Sequence, residues 1–169
     1  MRRPDPAPII LFALAGALGL AACSPHRGAG APARPASAAA QARSDSNALE
    51  HYIGDAIGDP STCVLIVDRT SGKTVYQYGQ LFNCVRGLPA CDRPGVLTAR
   101  EALPLATPAG RGASCNTQPD GSRTVGWAEG YVGSHSPNLV YSAVMEGQKA
   151  LPGHEMEARL ADAFQNAGL

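Results

Sequence analysis

The sequence predicts an α+β domain over residues 47–169, in which a small antiparallel sheet of about four to five strands is covered by helices. Two observations lead to this prediction. First, an amphipathic helix pattern lies at each end of the domain, and two pairs of adjacent strand patterns lie between them. Second, the stretch between the two strand pairs is irregular and contains one short helix pattern. The expected order is α-β-β-(short α)-β-β-α, with both terminal helices on the same face of the sheet.

The first helix is expected to begin at Asn47, which has the spacing of a capping box with Glu50. Apolar side chains then recur at helical spacing, at Leu49, Tyr52, Ile53, Ala56 and Ile57. Gly58 and Pro60 are typical of a helix end. The helix is therefore predicted over residues 47–57.

A β-hairpin is expected over residues 63–78. Cys63 to Asp68 is a short, nearly continuous apolar run, which is typical of a buried strand. Thr70-Ser-Gly-Lys73 supplies turn residues, and Thr74 to Tyr78 returns as the second strand.

The middle of the domain, residues 79–121, is rich in turn residues and has little hydrophobic pattern. Its one helical candidate begins near Thr98, which forms a second capping-box pattern with Glu101, and ends before Pro104. Three cysteines lie in this stretch, so we expect disulfides to hold it together.

Two strands and a helix complete the predicted domain. Residues 124–132 alternate, with Val125, Trp127 and Tyr131 on one face, while residues 138–145 are almost continuously apolar and predict a central strand. Glu129 falls on the apolar face, so it needs a partner, an edge or a pocket; Arg123 is one candidate partner. The final helix opens at Pro152 and carries one apolar stripe, at Met156, Leu160, Ala163, Phe164 and Ala167.

The first 22 residues have the features of a secretory signal. Arg2 and Arg3 precede an apolar stretch that is shorter than the roughly 20 residues of a membrane-spanning helix. The stretch ends in Leu20-Ala-Ala-Cys23, which resembles the lipobox of bacterial lipoproteins. The resemblance implies removal of residues 1–22 and attachment of the chain to a lipid bilayer through acylated Cys23. The alternative is an ordinary signal peptide in which Cys23 is incidental.

Residues 23–46 are predicted to be the lipidated cysteine and a flexible tether. The segment is rich in alanine, proline, glycine and serine, which cannot bury enough apolar surface to offset the ordering of the chain. As a flexible coil it would have a reach of roughly 25 Å. Ser24 stands where the Gram-negative pattern for inner-membrane retention has aspartate. That resemblance implies the outer membrane, facing the periplasm.

Four cysteines remain for the folded domain: Cys63, Cys84, Cys91 and Cys115. An even number in an exported protein predicts two disulfides with three possible connectivities. Because Gly87 and Pro89 favour a turn between Cys84 and Cys91, the favoured pairing is Cys84–Cys91 with Cys63–Cys115. The close spacing typical of zinc ligands is absent from the sequence, so neither a metal nor a cofactor is predicted.

Charge argues against a nucleic-acid partner. Residues 47–169 carry nine lysines and arginines against twelve aspartates and glutamates, a net charge of −3. A nucleic-acid-binding domain ordinarily carries a basic surface, and an exported chain has little access to nucleic acid. We therefore expect no nucleic acid among its partners.

Two stretches resemble the sheet of the penicillin-binding protein and serine β-lactamase superfamily. Val64 to Tyr76 is similar to the hairpin with which those domains open, and the strand around Val125-Gly-Trp127 is similar to a later one. The superfamily places its nucleophile in Ser-x-x-Lys, and no serine of this sequence has lysine three positions later. The element order also resembles small profilin-like and roadblock-like modules, which bind partners or ligands.

Together these features predict a non-catalytic envelope lipoprotein that binds an envelope protein or peptidoglycan. The candidate ligand or partner surface consists of Trp127, Glu129, Tyr131 and His135, although large aromatics on one sheet face are usually core. The first alternative is a cell-wall or acyl hydrolase with a site around Ser114, His135 or Glu129. The second is a sensor that holds a small ligand against Trp127.

Overall fold

A computed structural model describes residues 36–133 and 135–169, with side chains from residue 43 onward. The predicted signal peptide, Cys23 and residues 24–35 of the predicted tether lie outside the described residues. The elements are α1 (Ala36–Ile57), β1 (Cys63–Asp68), β2 (Thr74–Tyr78), α2 (Leu81–Val85), β3 (Leu88–Pro89), β4 (Val96–Leu97), α3 (Ala99–Ala102), a 3₁₀ turn (Leu103–Leu105), β5 (Arg111–Asn116), β6 (Thr124–Tyr131), β7 (Leu139–Gly147) and α4 (Gly153–Asn166).

The main sheet has five antiparallel strands in the order β2-β1-β7-β6-β5. The α+β prediction is therefore confirmed, and so is the central position of the strand over residues 138–145, now β7. Strands β3 and β4 form a separate antiparallel pair. The capping box at Thr98 and Glu101 is present at the start of α3.

Helices α1 and α4 pack on the same face of the sheet, as predicted. Their apolar side chains share one cluster with inward-facing residues of the strands, including Ile53, Ile57, Val64, Ile66, Met156, Leu160 and Phe164. Glycines let the start of α4 approach the strands closely. A Cβ on Gly126 would lie 2.1 Å from the Leu151 carbonyl oxygen, and one on Gly153 would lie 2.2 Å from that of Trp127.

The opposite face is covered by the turn-rich middle of the chain. A second buried cluster there joins α2, β3 and α3 to the strands, through Cys63, Leu65, Cys84, Leu88, Ala99, Ala102, Val125, Trp127 and Val144. The sheet thus has a helical face, built from the two long helices, and an irregular face, built from short elements.

Two disulfides hold the irregular face. They join Cys63 to Cys84 and Cys91 to Cys115, with Cα–Cα distances of 5.2 and 5.3 Å. The favoured pairing of Cys84 with Cys91 and of Cys63 with Cys115 was therefore wrong. Helix α2 places Cys84 against the start of β1, and the β3–β4 turn carries Cys91 to β5. The β3–β4 turn itself is closed by a backbone hydrogen bond from Ala90 N to Gly95 O.

Helix α1 begins at Ala36, so the predicted helix start at Asn47 was wrong. Residues 36–46 had been assigned to the tether because they lack large apolar side chains. Alanine has the highest intrinsic helix propensity of all residues, and a helix that is already packed at one end extends at little cost. The predicted tether is therefore limited to residues 24–35.

Candidate functional site

Trp127 is a core residue and is not a ligand surface. Its side chain is 1% exposed within the irregular face, and its indole N–H donates to the Pro89 carbonyl oxygen at 2.7 Å. The hypothesis of a sensor that holds a small ligand against Trp127 therefore names the wrong residue, because this side chain is not accessible to a ligand. This tryptophan instead ties the β3–β4 pair to the main sheet.

Glu129 is fully buried on the irregular face. Its partner is Arg111 on the neighbouring strand β5, which donates to Oε2 at 2.8 Å. Arg123, one candidate partner in the sequence, binds Glu146 instead. Among the residues that the structure describes, Oε1 has no hydrogen-bond partner, and neither has the hydroxyl of Ser142, which lies opposite Glu129 in the β6–β7 register. Burial raises the pKa of Glu129 to about 7 against the lowering effect of Arg111.

Arg111 also connects Glu129 to the surface. It forms an ion pair with Asp92, which in turn pairs with Arg93. Hydrogen bonds from Arg93 and Arg111 lower the pKa of Asp92 to about 2. The buried carboxylate is thus part of a charged chain that fastens the loop after β3 to strand β5. Since Glu129 has no exposed surface, we assign it a structural role.

A second buried carboxylate, Glu146, fastens α2 to the sheet. It accepts two hydrogen bonds from Arg123 at 2.8 and 2.7 Å, one from Thr117 at 3.1 Å and one from Arg86 at 2.9 Å. The hydrogen bonds from Arg123 are the largest cause of its lowered pKa of about 2. Glu146 therefore stays ionised and holds Arg86, the residue that follows α2, in place.

An apolar patch lies exposed on α2 and β4. We define the apolar patch as Leu81, Phe82, Val85 and Val96, whose exposed fractions are between 58% and 66%. Arg86 and Gly87 separate Val85 from β3, and a Cβ on Gly87 would lie 3.5 Å from the Val96 side chain. Val96 is thus adjacent to the end of α2. Large apolar side chains grouped on a surface are typical of interaction sites.

The apolar patch is held firmly in place. Helix α2 is joined to β1 by the Cys63–Cys84 disulfide, and the Asn83 side chain donates to the Pro60 carbonyl oxygen at 2.8 Å. Arg86 lies over the Phe82 ring, 5.7 Å from its centroid, while it binds Glu146. These contacts fix a five-residue helix that would not be stable alone.

Tyr131 lines an open pocket of about 430 Å³ between the sheet and the 3₁₀ turn, which we call the Tyr131 pocket. The pocket lies where β1 and β6 end and β7 begins. Val67, Val140 and Leu103 are buried beneath it as one small cluster, against which Tyr131 packs. Its volume falls in the range of ligand sites. Of the four residues predicted for a ligand surface, Tyr131 is the one that lines this pocket.

His135 lies in the loop after β6, exposed to solvent, on a separate cavity of about 370 Å³. Tyr131, Tyr141, Glu157 and the terminal residue Leu169 also line that cavity. Burial, followed by the charge of Glu157, raises the pKa of Tyr141 above its ordinary value. His135 and Tyr131 are therefore brought together, whereas Glu129 and Trp127 are turned into the core.

The three residues predicted for a hydrolase do not converge. The Ser114 hydroxyl accepts a hydrogen bond from Gly153 N at 2.6 Å and so caps the start of α4. It lies opposite Gly126 in the register, on the helical face, while Glu129 lies on the irregular face and His135 beyond the end of β6. Nothing in this arrangement favours a serine nucleophile.

No protein-family model, no curated protein and no solved structure matches the chain. The resemblance of residues 64–76 and 125–127 to the penicillin-binding protein superfamily therefore stays a prediction. Within residues 36–133 and 135–169, histidine, cysteine and acidic side chains form no group that could hold a metal ion. Over the same residues, no helix combines the length and apolarity needed to cross a membrane.

Sequence reasoning missed the apolar patch and the two arginines beside the Tyr131 pocket. One signal for the patch was available, because Leu81-Phe82 is a pair of large apolar residues in a turn-rich segment. No signal marked Arg69 and Arg100, since their proximity to Tyr131 depends on the strand order.

Proposed function

We propose that this protein is a lipid-anchored bacterial envelope lipoprotein whose α+β domain is a non-catalytic binding module. Cys23 carries the lipid, and the outer membrane, facing the periplasm, is the site of attachment. The apolar patch is the surface that contacts the partner. The observation that carries the proposal is the exposure of four large apolar side chains on a segment held by a disulfide.

The disulfides support export. All four cysteines of the domain are paired, and stable disulfides form in oxidising compartments such as the periplasm. This agrees with the resemblance of Leu20-Ala-Ala-Cys23 to a lipobox, which implies a mature chain outside the cytoplasm.

The chemistry of the apolar patch favours a protein partner over peptidoglycan. Phe82 and the three aliphatic side chains around it offer no hydrogen-bonding groups, whereas glycan strands present hydroxyl and amide groups. Protein interfaces bury aromatic and aliphatic side chains at their centres. The partner therefore has an apolar surface of its own.

The apolar patch lies near the C-terminal end of α1, because the Asn83 side chain of α2 bonds to Pro60, just beyond Ile57. The predicted tether joins the opposite end of this helix, at Ala36, and a helix of 22 residues is about 33 Å long.

Photo-crosslinking in intact cells tests the proposal. A benzophenone amino acid replaces Phe82 in the full-length lipoprotein, and the control carries it at Asp162, an exposed position on α4. We expect one discrete protein adduct from position 82 and none from position 162. Leu81→Asp with Val85→Asp in the same chain should abolish the adduct, because charge cannot enter an apolar interface without cost.

Several outcomes would refute the proposal. An adduct that survives Leu81→Asp with Val85→Asp would show that the patch is not the contact. Adducts with lipid or with peptidoglycan alone would replace the protein partner by the bilayer or the wall. Equal adducts from positions 82 and 162 would indicate non-specific collision.

A further inference from the structure

The Tyr131 pocket combines an apolar floor with a cationic rim. Val67, Leu103 and Val140 are each less than a tenth exposed and form the floor, and the half-buried Tyr131 ring forms one wall. The 3₁₀ turn covers one side of the pocket. An apolar group that enters it would lose contact with water on several sides.

Two guanidinium groups border this floor. Arg69 lies over the Tyr131 ring, 4.6 Å from its centroid, and Arg100 donates to the Thr74 hydroxyl. Neither arginine takes part in the ion pairs formed among the described residues. Two cations that form no ion pair among the described residues thus line the apolar pocket.

One acid, Asp68, also lines the pocket, but its carboxylate is used locally. It accepts hydrogen bonds from the Ser71 N–H at 2.7 Å and from the Ser71 hydroxyl at 2.8 Å. These bonds close the β1–β2 turn. The rim therefore keeps an excess of positive charge.

We propose that the Tyr131 pocket binds an apolar carboxylate, with its carboxylate on Arg69 and Arg100 and its aliphatic group on Val67, Leu103 and Val140. Guanidinium groups match the geometry of a carboxylate and bind it through charged hydrogen bonds. A ligand with charge at both ends would leave one charge on the apolar floor, which is unfavourable.

The same chemistry has two sources. One is a free short-chain organic acid, and the other is the C-terminal carboxylate of a peptide that ends in an aliphatic residue. Both present a carboxylate next to a branched or straight hydrocarbon group. The two sources differ in one group: a peptide carries a backbone amide next to its terminal residue, and a free short-chain acid has none. The experiment therefore compares an acid that has this amide with one that lacks it.

This inference is independent of the proposed function. Strand β1 separates the two surfaces: Cys63 at its beginning is bonded to α2, while Val67 and Asp68 at its end line the pocket. A failure of crosslinking at Phe82 would leave the carboxylate site untouched. A failure of carboxylate binding would leave the apolar patch untouched.

Ligand binding to the protein as isolated from cells, purified in a mild detergent, tests the inference whether or not Cys23 is lipidated. The probes are N-acetyl-leucine and 4-methylpentanoate, each compared with its neutral amide by saturation-transfer difference NMR, with the protein-free detergent solution as the blank. We expect each acid to bind at least about tenfold more tightly than its amide. If N-acetyl-leucine binds more tightly than 4-methylpentanoate, the source is a peptide C-terminus; the reverse order indicates free acids.

Variants locate the site. Arg69→Gln and Arg100→Gln, singly and together, should weaken binding of the acids, by about tenfold or more for the double variant. Arg43→Gln is the matched control, because Arg43 is an exposed arginine on α1. Both arginines at the pocket are exposed, so folding is checked by an unchanged thermal midpoint, and either single variant suffices if the other unfolds.

Three results would overturn the inference. The first is equal affinity for the acids and their amides. The second is unchanged affinity in the folded Arg69→Gln, Arg100→Gln variant, or an equal loss in Arg43→Gln. The third is the absence of saturable binding of either acid up to about 10 mM, which corresponds to a negligible binding energy.

Discussion

Glu129 shows how one buried side chain can conflict with the core around it. It is the only acid on the face of β6 that carries Val125 and Trp127, and one of its oxygens has no hydrogen-bond partner within the described part of the chain. Arg111 donates a hydrogen bond to the other oxygen only. The energetic cost of burying Glu129 therefore depends on whether its carboxyl group is ionised, so the stability of the protein depends on pH.

Replacing Glu129 by glutamine should remove this sensitivity. The pKa of Glu129 is about 7 in the folded protein and near 4.5 when unfolded, so between these values the folded state holds more protons. The free energy of unfolding of the wild type therefore falls as pH rises from about 4.5 to about 7 and stays level above. Relative to Glu129→Gln, we expect the wild type to lose about 2–3 kcal/mol between pH 5 and pH 8 in urea denaturation.

Glu146→Gln is the matched control for that measurement. The pKa of Glu146 lies at about 2, so the carboxylate is ionised at both pH values. Its substitution should destabilise the protein by the same amount at pH 5 and at pH 8. An identical pH dependence of the wild type and Glu129→Gln would contradict the assignment of Glu129 as the titrating group.

At the residue scale, sequence could predict that Glu129 needs a partner but not which one. Arg123 and Arg111 are both near in the chain, and the choice depends on β5, which places Arg111 directly opposite Glu129. Arg123 lies just before the first residue of β6, where it binds Glu146 on β7. Register, not residue type, decides between the two.

At the scale of elements, the strong hydrophobic patterns gave correct predictions and the weak ones failed. The β1–β2 hairpin, β7 and the stripe of α4 were all predicted from apolar periodicity. Strand β5 was missed because Arg111 to Asn116 contains no large apolar residue. It is a strand because it pairs with β6 along its whole length, which no local pattern records.

The packing of α4 on β6 can be tested with a single methyl group. Gly126→Ala would place a Cβ 2.1 Å from the Leu151 carbonyl oxygen, so backbone must move. We expect a loss of about 2 kcal/mol or more in the free energy of unfolding, as is usual for overpacked cores. Chemical denaturation measures it.

Gly54→Ala is the comparison for that substitution. Gly54 lies inside α1, and the nearest atom to its Cβ would be the Tyr78 hydroxyl at 3.4 Å, an ordinary contact. Alanine at position 54 should leave the free energy of unfolding unchanged or raise it by up to about 1 kcal/mol. If both alanine variants had equal stability, close approach of α4 to the sheet would not be the reason for glycine at position 126.

The disulfide pairing can be read directly by mass spectrometry. Trypsin should place the four cysteines in separate peptides, residues 44–69, 74–86, 87–100 and 112–123. Without reduction, we expect the first to be linked to the second and the third to the fourth. A link between residues 74–86 and 87–100 would restore the pairing that the sequence favoured and contradict the arrangement of α2.

For the whole molecule, the decisive prediction concerns Cys23. Cys23→Ser should leave the signal unprocessed or release the protein into the soluble periplasmic fraction, because two or more acyl chains are needed for stable membrane attachment. Fractionation with immunoblotting of both forms measures this. Normal processing together with unchanged membrane association in Cys23→Ser would refute lipid anchoring.

At this scale, the fold class and the helical face were predictable from sequence, whereas the site was not. The two long helices and β7 carry enough apolar periodicity to predict a sheet with one helical face. The Tyr131 pocket needs Arg69, Arg100 and Tyr131 from three separated segments, and the apolar patch needs the Cys63–Cys84 pairing. Such features depend on contacts between segments, which one sequence does not specify.

The position of β7 between β1 and β6 has a consequence for how the chain folds. Cys63 pairs with Val144, so β1 acquires its second neighbour only when nearly the whole domain is available. Both disulfides, by contrast, join cysteines close in sequence and end at residue 115. Long-range strand pairing slows folding. During folding the two bridges can therefore close before the sheet is complete, and the pairing of β7 with β1 and β6 then completes the native state.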